Sequence, residues 1–454
     1  MRGIIEMTAW WQKEEQGITG ITTADIVITN VSMCEPVLID QSPYSMNGWD
    51  GSHIPAYDDD PYWDGMPPVA KAWARYRMPK IFRMPGGDIG VTFAIASDHV
   101  YDQGRESPMF ISGDEGETWT RITPPHELLK TNMPRVSYIG EGEFFGIPSR
   151  KGINLSDYTL PPPAGVNYSD NFEFPHYRLD DCPPEVQAWF RDIKAVRWTP
   201  GNGWAGENIE WDHTKKLVGG YDDIHQNIRG LWSNKIYQES PIIRNPDNGE
   251  LYFADYWTQY ETADGKVPEK AESHLMVSKN RGRSWQKRSV IMSSPRPPDS
   301  PDAESACEPS LAISRFGELV CVVRGETTMF ITYSGDNGFT WSVPKALLEY
   351  GVEPQLLQLN NGVLALSYGR APNSGTGTTQ KISFSTDGGY TWSEPKVFDS
   401  GAEGSSVCGY TSMVAIGDDS LLLAYTEEFS RFGGLTKDHK QVFVRKITVG
   451  AVEV

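Results

Sequence analysis

The sequence predicts an all-β protein, a six-bladed β-propeller with a seven-bladed ring as the alternative. Three observations carry this. The pattern Ser-x-Asp-x-Gly-x-Thr-Trp occurs at 112–119, 334–341 and 385–392, with a variant at 278–285 where Asn280 replaces Asp. Short apolar stretches rich in β-branched residues precede each copy. The unit returns at roughly 50-residue spacing, the mark of a blade rather than of a sandwich.

One unit shows the logic. In 306–341, Leu311 to Ile313 and Leu319 to Val323 read as strands around the turn Phe316-Gly317-Glu318. Met329 to Tyr333 is a third strand, and Ser334 to Trp341 closes the unit. In that hairpin the Asp or Asn accepts turn amides, Gly supplies a positive φ, and Trp packs back between strands. These are structural staples rather than calcium or sugar sites.

Taken in order, residues 1–75 form an N-terminal segment. Its strand Asp25 to Thr29 is expected to close the ring on the last blade, and its Asp-, Pro- and Tyr-containing loop (53–63) to border the cleft. Residues 76–454 form the propeller, within a single domain overall. Blade one carries Ile81 to Pro85 and Val91 to Ala96, then a polar loop with Asp98, His99 and Asp102. Residues 134–150 give a weaker blade. Residues 151–238, with no clear repeat, read as an insertion with room for a hidden blade. Further blades begin near 240, 308, 353 and 410.

A net charge of −19 argues against nucleic acid or an anionic membrane surface as partner. No apolar run approaches 18 residues. Met1 to Glu6 places charge where a signal peptide needs an apolar stretch, so a cytoplasmic protein is expected, or a secreted one if the chain was trimmed. Five cysteines without metal-type spacing fit reduced thiols. No metal or cofactor is expected, and the oligomeric state is left open.

First strands of a propeller start around the central channel, so residues far apart in sequence converge there. On this register the converging set is Arg83, Glu239, Glu308, Glu353 and Tyr410. Titratable groups gathered in a cleft suit work on a glycan.

The tryptophan hairpins resemble the Asp boxes of the sialidase (neuraminidase) superfamily. Phe82-Arg83-Met84-Pro85 resembles its Arg-Ile-Pro motif, and Cys307-Glu308-Pro309-Ser310 through Arg324 the stretch from catalytic Glu to second substrate Arg. Cys408 to Met413, followed by Leu422 to Glu427, resembles the nucleophile motif. The resemblance spans about residues 80 to 450 and implies a six-bladed sialidase propeller.

It also implies an exo-α-sialidase-like hydrolase cleaving a terminal acidic sugar from an oligosaccharide or glycoconjugate. Tyr410 would be the nucleophile and Glu308 its base, because a neutral Tyr avoids repulsion by the sugar carboxylate. Arg83 and Arg324 would hold that carboxylate, with Arg370 as third arginine. Asp102, or else Asp98, would be the acid/base, with His99 beside it. Glu239 and Glu353 depart from the pattern. They suit a different sugar, and keep open a propeller glycosidase, a uronate lyase using Tyr410, His99 or His225 with Arg83, or a non-catalytic glycan binder.

Overall fold

The computed structural model describes residues 25–41, 77–95, 107–131, 134–169, 172–222, 231–233, 235–236, 238–293, 306–325, 328–372, 378–399, 409–427 and 441–454. The loop at 53–63, Asp98, His99, Asp102 and His225 lie outside these residues.

The described chain is a β-propeller built of antiparallel sheets, most of them four-stranded. Sheet I is Arg77–Arg83, Ile89–Ala94, Met109–Ser112 and Thr120–Ile122. Sheet II is Ser137–Tyr138, Phe144–Gly146, Ile193–Thr199 and Gly203–Trp211. Sheet III is Ile243–Arg244, Leu251–Asp255, Glu272–Ser278 and Ser284–Ser293. Sheet IV is Cys307–Ile313, Leu319–Arg324, Met329–Ser334 and Lys345–Leu347. Sheet V is Val352–Gln358, Leu364–Pro372, Thr378–Ser385 and Lys396–Asp399. Sheet VI combines Thr411–Ala415, Ser420–Glu427 and Gln441–Glu453 with Ile26–Met33 and Val37–Gln41, which both pair with Gln441–Glu453. Ile26 pairs with Glu453 and Met33 with Ile447, so the two ends of the described chain share one sheet edge.

The core follows from this arrangement. Both faces of a propeller sheet are covered by neighbours, so its strands are apolar on both sides; Ile89–Ala94 and Leu319–Arg324 are buried at every position. The apolar side chains gather between consecutive sheets. Met109 and Val136 meet between I and II, Phe145 and Trp285 between II and III, and Leu275 and Leu311 between III and IV. Val320 and Leu366 meet between IV and V, Phe384 and Leu423 between V and VI, and Val91 and Leu422 between VI and I. That sequence of clusters returns to its start and closes a ring.

The tryptophan hairpins sit at the turns between third and fourth strands. Ser112 Oγ donates to Asp114 at 2.7 Å, and Asp114 accepts the Thr118 amide at 2.9 Å. The copies at 334 and 385 repeat these bonds. Asn280 accepts the Ser284 amide at 2.8 Å and donates to the Ser284 hydroxyl at 2.8 Å. The box glycines have φ between 82° and 96°. Gly338 also touches sheet III: a Cβ there would stand 2.0 Å from Leu275.

The region 151–238 is not a plain insertion. Residues 193–211 supply the outer half of sheet II, and the added chain lies before and after them. Gly165–Ser169, Phe172–Arg178, Lys216–Gly219 and Gln259–Tyr260 make an extra sheet. A helix, Pro184–Arg191, buries Val186 and Phe190 against it, with Tyr177, Leu179 and Val218 in one small core. No helix among the described residues is long and apolar enough to cross a membrane.

Candidate functional site

First strands of neighbouring sheets are set level in three places by the same kind of hydrogen bond. Ser412 accepts the Ile81 amide at 3.1 Å, Ser137 the Ile242 amide at 3.0 Å, and Ser310 the Leu356 amide at 2.8 Å. Each bond joins a hydroxyl in one sheet to a backbone N–H in the next. Counting back from them puts Met78, Arg135, Glu239, Glu308, Glu353 and Tyr410 at equivalent places.

Three of these carry the same distortion. Met78, Glu308 and Glu353 have φ of 52°, 49° and 43°, each precedes a proline, and the strand register breaks at each. A side chain there sits on a bulge, which re-aims it. A non-glycine residue in the left-handed region costs about 1–3 kcal/mol, and such strain concentrates at functional sites.

The predicted Glu239, Glu308, Glu353 and Tyr410 do share this level. Arg83 does not. It stands at the opposite end of its strand, about 16 Å from Met78 at the rise of an extended chain. Its guanidinium donates to Ala415 O at 2.8 Å, at the far end of the neighbouring first strand. The reason is a duplicated tripeptide: Arg-Met-Pro occurs at 77–79 and at 83–85, and the first copy is the one at the strand start.

The cations at this level are others. Lys80, fully buried, makes an ion pair with Glu353. Arg135 donates to Glu239 O at 2.9 Å and to the Ser412 hydroxyl. Arg324, as predicted, reaches the site: it pairs with Glu308 at 2.9 Å and donates to the Tyr350 hydroxyl at 3.1 Å. Sequence reading missed Lys80, Arg135, Tyr350 and Trp257. A signal for Lys80 existed, because Met78-Pro79-Lys80 has the same form as Glu308-Pro309-Ser310 and Glu353-Pro354-Gln355.

Glu353 feels both of the other carboxyls. Glu308 accepts the Glu353 amide at 2.6 Å. Burial pushes the Glu353 carboxyl up to about 8; the Lys80 ammonium pulls it down, while Glu239 and Glu308 push it further up. Its Oε1 faces Lys80, and its buried Oε2 has no hydrogen-bond partner among the described residues. Trp257 donates to Glu239 at 3.4 Å.

Tyr410 is 4% exposed and packs with Met78, Ala94 and Val352, with Trp257 and Tyr350 against the same cluster. It is reached by a close backbone crossing. A Cβ on Gly369 would lie 1.5 Å from Gly409 O, and one on Gly409 would lie 2.2 Å from Thr426 O, so both positions require glycine. Arg370 falls at the register break between Tyr368 and Ala371, and its side chain lies outside the described residues. Among the described residues, no group of three His, Cys, Asp or Glu side chains is arranged to hold a metal ion.

This geometry joins what comparison with known proteins finds. Residues 205–423 match the BNR repeat-like domain. No curated protein sequence matches the chain. A solved structure of a protein of unknown function from Dyadobacter fermentans DSM 18053 is similar with a TM-score of 0.60 and 14% identity, over 93% of this chain and 100% of that one. The Hadza microbial sialidase Hz136 is similar with a TM-score of 0.50 and 16% identity, over 85% of this chain and 67% of that one. The Penicillium chrysogenum alpha-L-arabinanase complexed with arabinobiose aligns over 91% of this chain and 98% of its own, with 13% identity and a TM-score of 0.46. At these identities the likeness is one of fold. The four boxed hairpins, the closed ring of sheets and the match of residues 205–423 to the BNR repeat-like domain together describe a β-propeller with BNR-type repeats, similar in fold to a sialidase.

Proposed function

We propose that the chain is a glycoside hydrolase whose reacting centre is the carboxyl cluster Glu239, Glu308 and Glu353, with Glu353 as proton donor. The observation that carries this is the state of Glu353: a buried carboxyl pushed up to about 8, with Oε2 unpartnered among the described residues. A carboxylic acid that keeps its proton at neutral pH is what protonation of a leaving glycosidic oxygen needs.

The step divides as follows. The glycosidic C–O bond breaks as its oxygen takes the Glu353 proton. The Glu239 carboxylate attacks the anomeric carbon, or takes the proton of a water that does. Glu308, tied to Arg324 and to the Glu353 backbone, positions the pair and keeps the donor protonated. Tyr350 and Trp257, both half-buried, offer aromatic surface for a sugar ring.

A cluster of three acids suits a neutral reacting sugar. The sialidase reading, with Tyr410 as nucleophile and an acidic terminal sugar, is supported by one observation: Tyr410 lies at the level of Glu308 and packs with Tyr350, which Arg324 bonds.

The test is hydrolysis of aryl glycosides of neutral sugars and of an aryl α-sialoside, by wild type, Glu353→Gln and Tyr410→Phe. Glu353→Gln is expected to lower kcat by ~10²–10⁴ on nitrophenyl neutral glycosides. It should lose far less on dinitrophenyl glycosides, whose leaving group needs no proton. Full activity of Glu353→Gln on both would end the carboxyl reading. A large loss confined to Tyr410→Phe on the sialoside would establish the Tyr mechanism instead.

A further inference from the structure

The inserted chain and sheet III meet on one short segment, and that segment carries Trp257. The Trp257 indole donates to Glu239 at 3.4 Å, so it joins the central cluster to the chain added beside sheet III. Tyr256 to Thr258 belong to no strand and lie between strands of two different sheets. Before them, Leu251–Asp255 is the second strand of sheet III. After them, Gln259–Tyr260 is an edge strand of the extra sheet, paired with Leu217 and Lys216.

Both flanking side chains turn back on this segment. Asp255, 1% exposed, accepts the Trp257 amide at 2.9 Å on one carboxylate oxygen and the Thr258 amide at 3.2 Å on the other. Gln259 donates to Tyr256 O at 2.7 Å and is itself held by the Glu272 backbone, at 3.1 and 3.0 Å. Without a strand ladder, these side-chain bonds fix the path of the backbone. Three titratable groups face Asp255. Lys216 of the extra sheet is the opposing charge, His274 is the cross-strand neighbour in sheet III, and Tyr260 follows in the next strand. Burial pushes the Asp255 carboxyl up to about 6, against the Thr258 and Trp257 hydrogen bonds and the Lys216 charge that pull it down. Burial puts Lys216 at about 8 and His274 at about 3, and holds Tyr260 well above its usual value. Near pH 6, then, Asp255 is the member of this group that changes charge.

We propose that Asp255 is a positioning residue for the central site: its carboxylate sets the path of the Trp257 segment, and so the indole against Glu239, while the extra sheet braces the segment from its other end. The proposal rests on the glycosidase reading for what Trp257 serves, and it gives the added chain a part in the site without a contact to the cluster of its own. Only an ionised Asp255 offers an acceptor to both amides. Protonation turns one of its oxygens into a donor facing an N–H, and the segment is then held by one bond fewer.

The test is a double-mutant cycle in the full chain on nitrophenyl neutral glycosides, read beside the fluorine NMR spectrum of protein labelled with 5-fluorotryptophan. The Trp257 resonance is the one missing from Trp257→Phe. Asp255→Asn keeps the shape of the side chain but turns an NH2 group towards one amide. Asp255→Asn and Trp257→Phe are each expected to lower kcat/KM ~10-fold, the scale of a hydrogen bond to a charged group. The double variant should lose no more than Trp257→Phe alone, because Asp255 acts through Trp257. Losses that multiply to ~100-fold, or wild-type kcat/KM in Asp255→Asn, would overturn the proposal. The Trp257 resonance is expected to shift in Asp255→Asn. In wild type and in Glu239→Gln it should move as pH crosses about 6, which decides the matter if Asp255→Asn does not fold. A resonance that stays fixed through that range, or that moves only while Glu239 is present, would overturn the proposal as well. The expected NMR behaviour without any glycoside turnover would sink the glycosidase reading alone, and turnover with multiplying losses the positioning role alone.

Discussion

The outer hairpins and the inner strand starts both repeat around the ring, and they repeat in opposite ways. At the rim the residues are kept: Ser, Asp or Asn, Gly and Trp return four times and make the same bonds within their own turn. At the axis the backbone is kept and the residues change: Met78, Arg135, Glu239, Glu308, Glu353 and Tyr410 occupy one level in successive sheets. A rim box has one task, to close a hairpin and seat it on the previous sheet. An axial position faces one shared space, so each sheet contributes a different group to it. Identity repeated marks structure here, and variation on a repeated backbone marks the site.

The largest test of that contrast is at the axis. Lys80→Met removes the donor to Glu353 Oε1; where Glu353 is ionised, this leaves a buried charge without its partner, a change that costs about 3–5 kcal/mol. Glu353 can escape by keeping its proton. Its folded pKa, about 8, already lies above the usual 4.5, so the folded protein holds the proton that the unfolded chain releases. Stability from this group is therefore present at acid pH and declines as pH rises from about 4.5 through 8. Without Lys80 the folded pKa rises further, and the decline continues past 8. Urea unfolding at pH 6 and pH 9 should show Lys80→Met losing more at pH 9 than at pH 6. An equal loss at both would mean that Glu353 is not the group that answers Lys80.

The next effect belongs to the rim. Gly338→Ala puts a Cβ at φ 82° and 2.0 Å from Leu275 of the previous sheet. A loss of about 1–3 kcal/mol is expected, since both backbone strain and overpacking act. Activity per folded molecule should stay at the wild-type level. A variant that is stable but inactive would show that rim and axis are coupled, against the division drawn above.

The propeller class was legible because it repeats, and so were most of the axial residues, because an X-Pro step or a strand start announces them. Glu308-Pro309 and Glu353-Pro354 could be read directly. Arg83 could not be placed, because two Arg-Met-Pro copies six residues apart fit one strand and only pairing decides which end faces the axis. Sheet II was obscure for a related reason. Its third and fourth strands, Ile193–Thr199 and Gly203–Trp211, are joined by Pro200-Gly201-Asn202 with no boxed hairpin, and added chain separates them from the first two. The extra sheet that holds Lys216 has no sequence signature at all. It exists because Lys216–Gly219 pairs with both Phe172–Arg178 and Gln259–Tyr260, contacts that no local pattern encodes.

The smallest predicted effect is the most informative about the boxes. Asp336 accepts the Thr340 hydroxyl and amide and the Ser334 hydroxyl, and these bonds hold its carboxyl down at about 2. Asn280 does the same work without charge, turning one acceptor contact into donation to Ser284. Asp336→Asn keeps the number of bonds, because the Thr340 hydroxyl can accept where it formerly donated. It should cost less than Gly338→Ala at neutral pH. A depressed carboxyl pKa gives stability above the unfolded value near 3.8 that is lost as pH falls towards 2. The asparagine variant lacks that contribution, so its melting temperature should fall less than that of wild type between pH 4 and pH 2. Parallel curves would mean that geometry alone, and not the charge on the box, closes the turn.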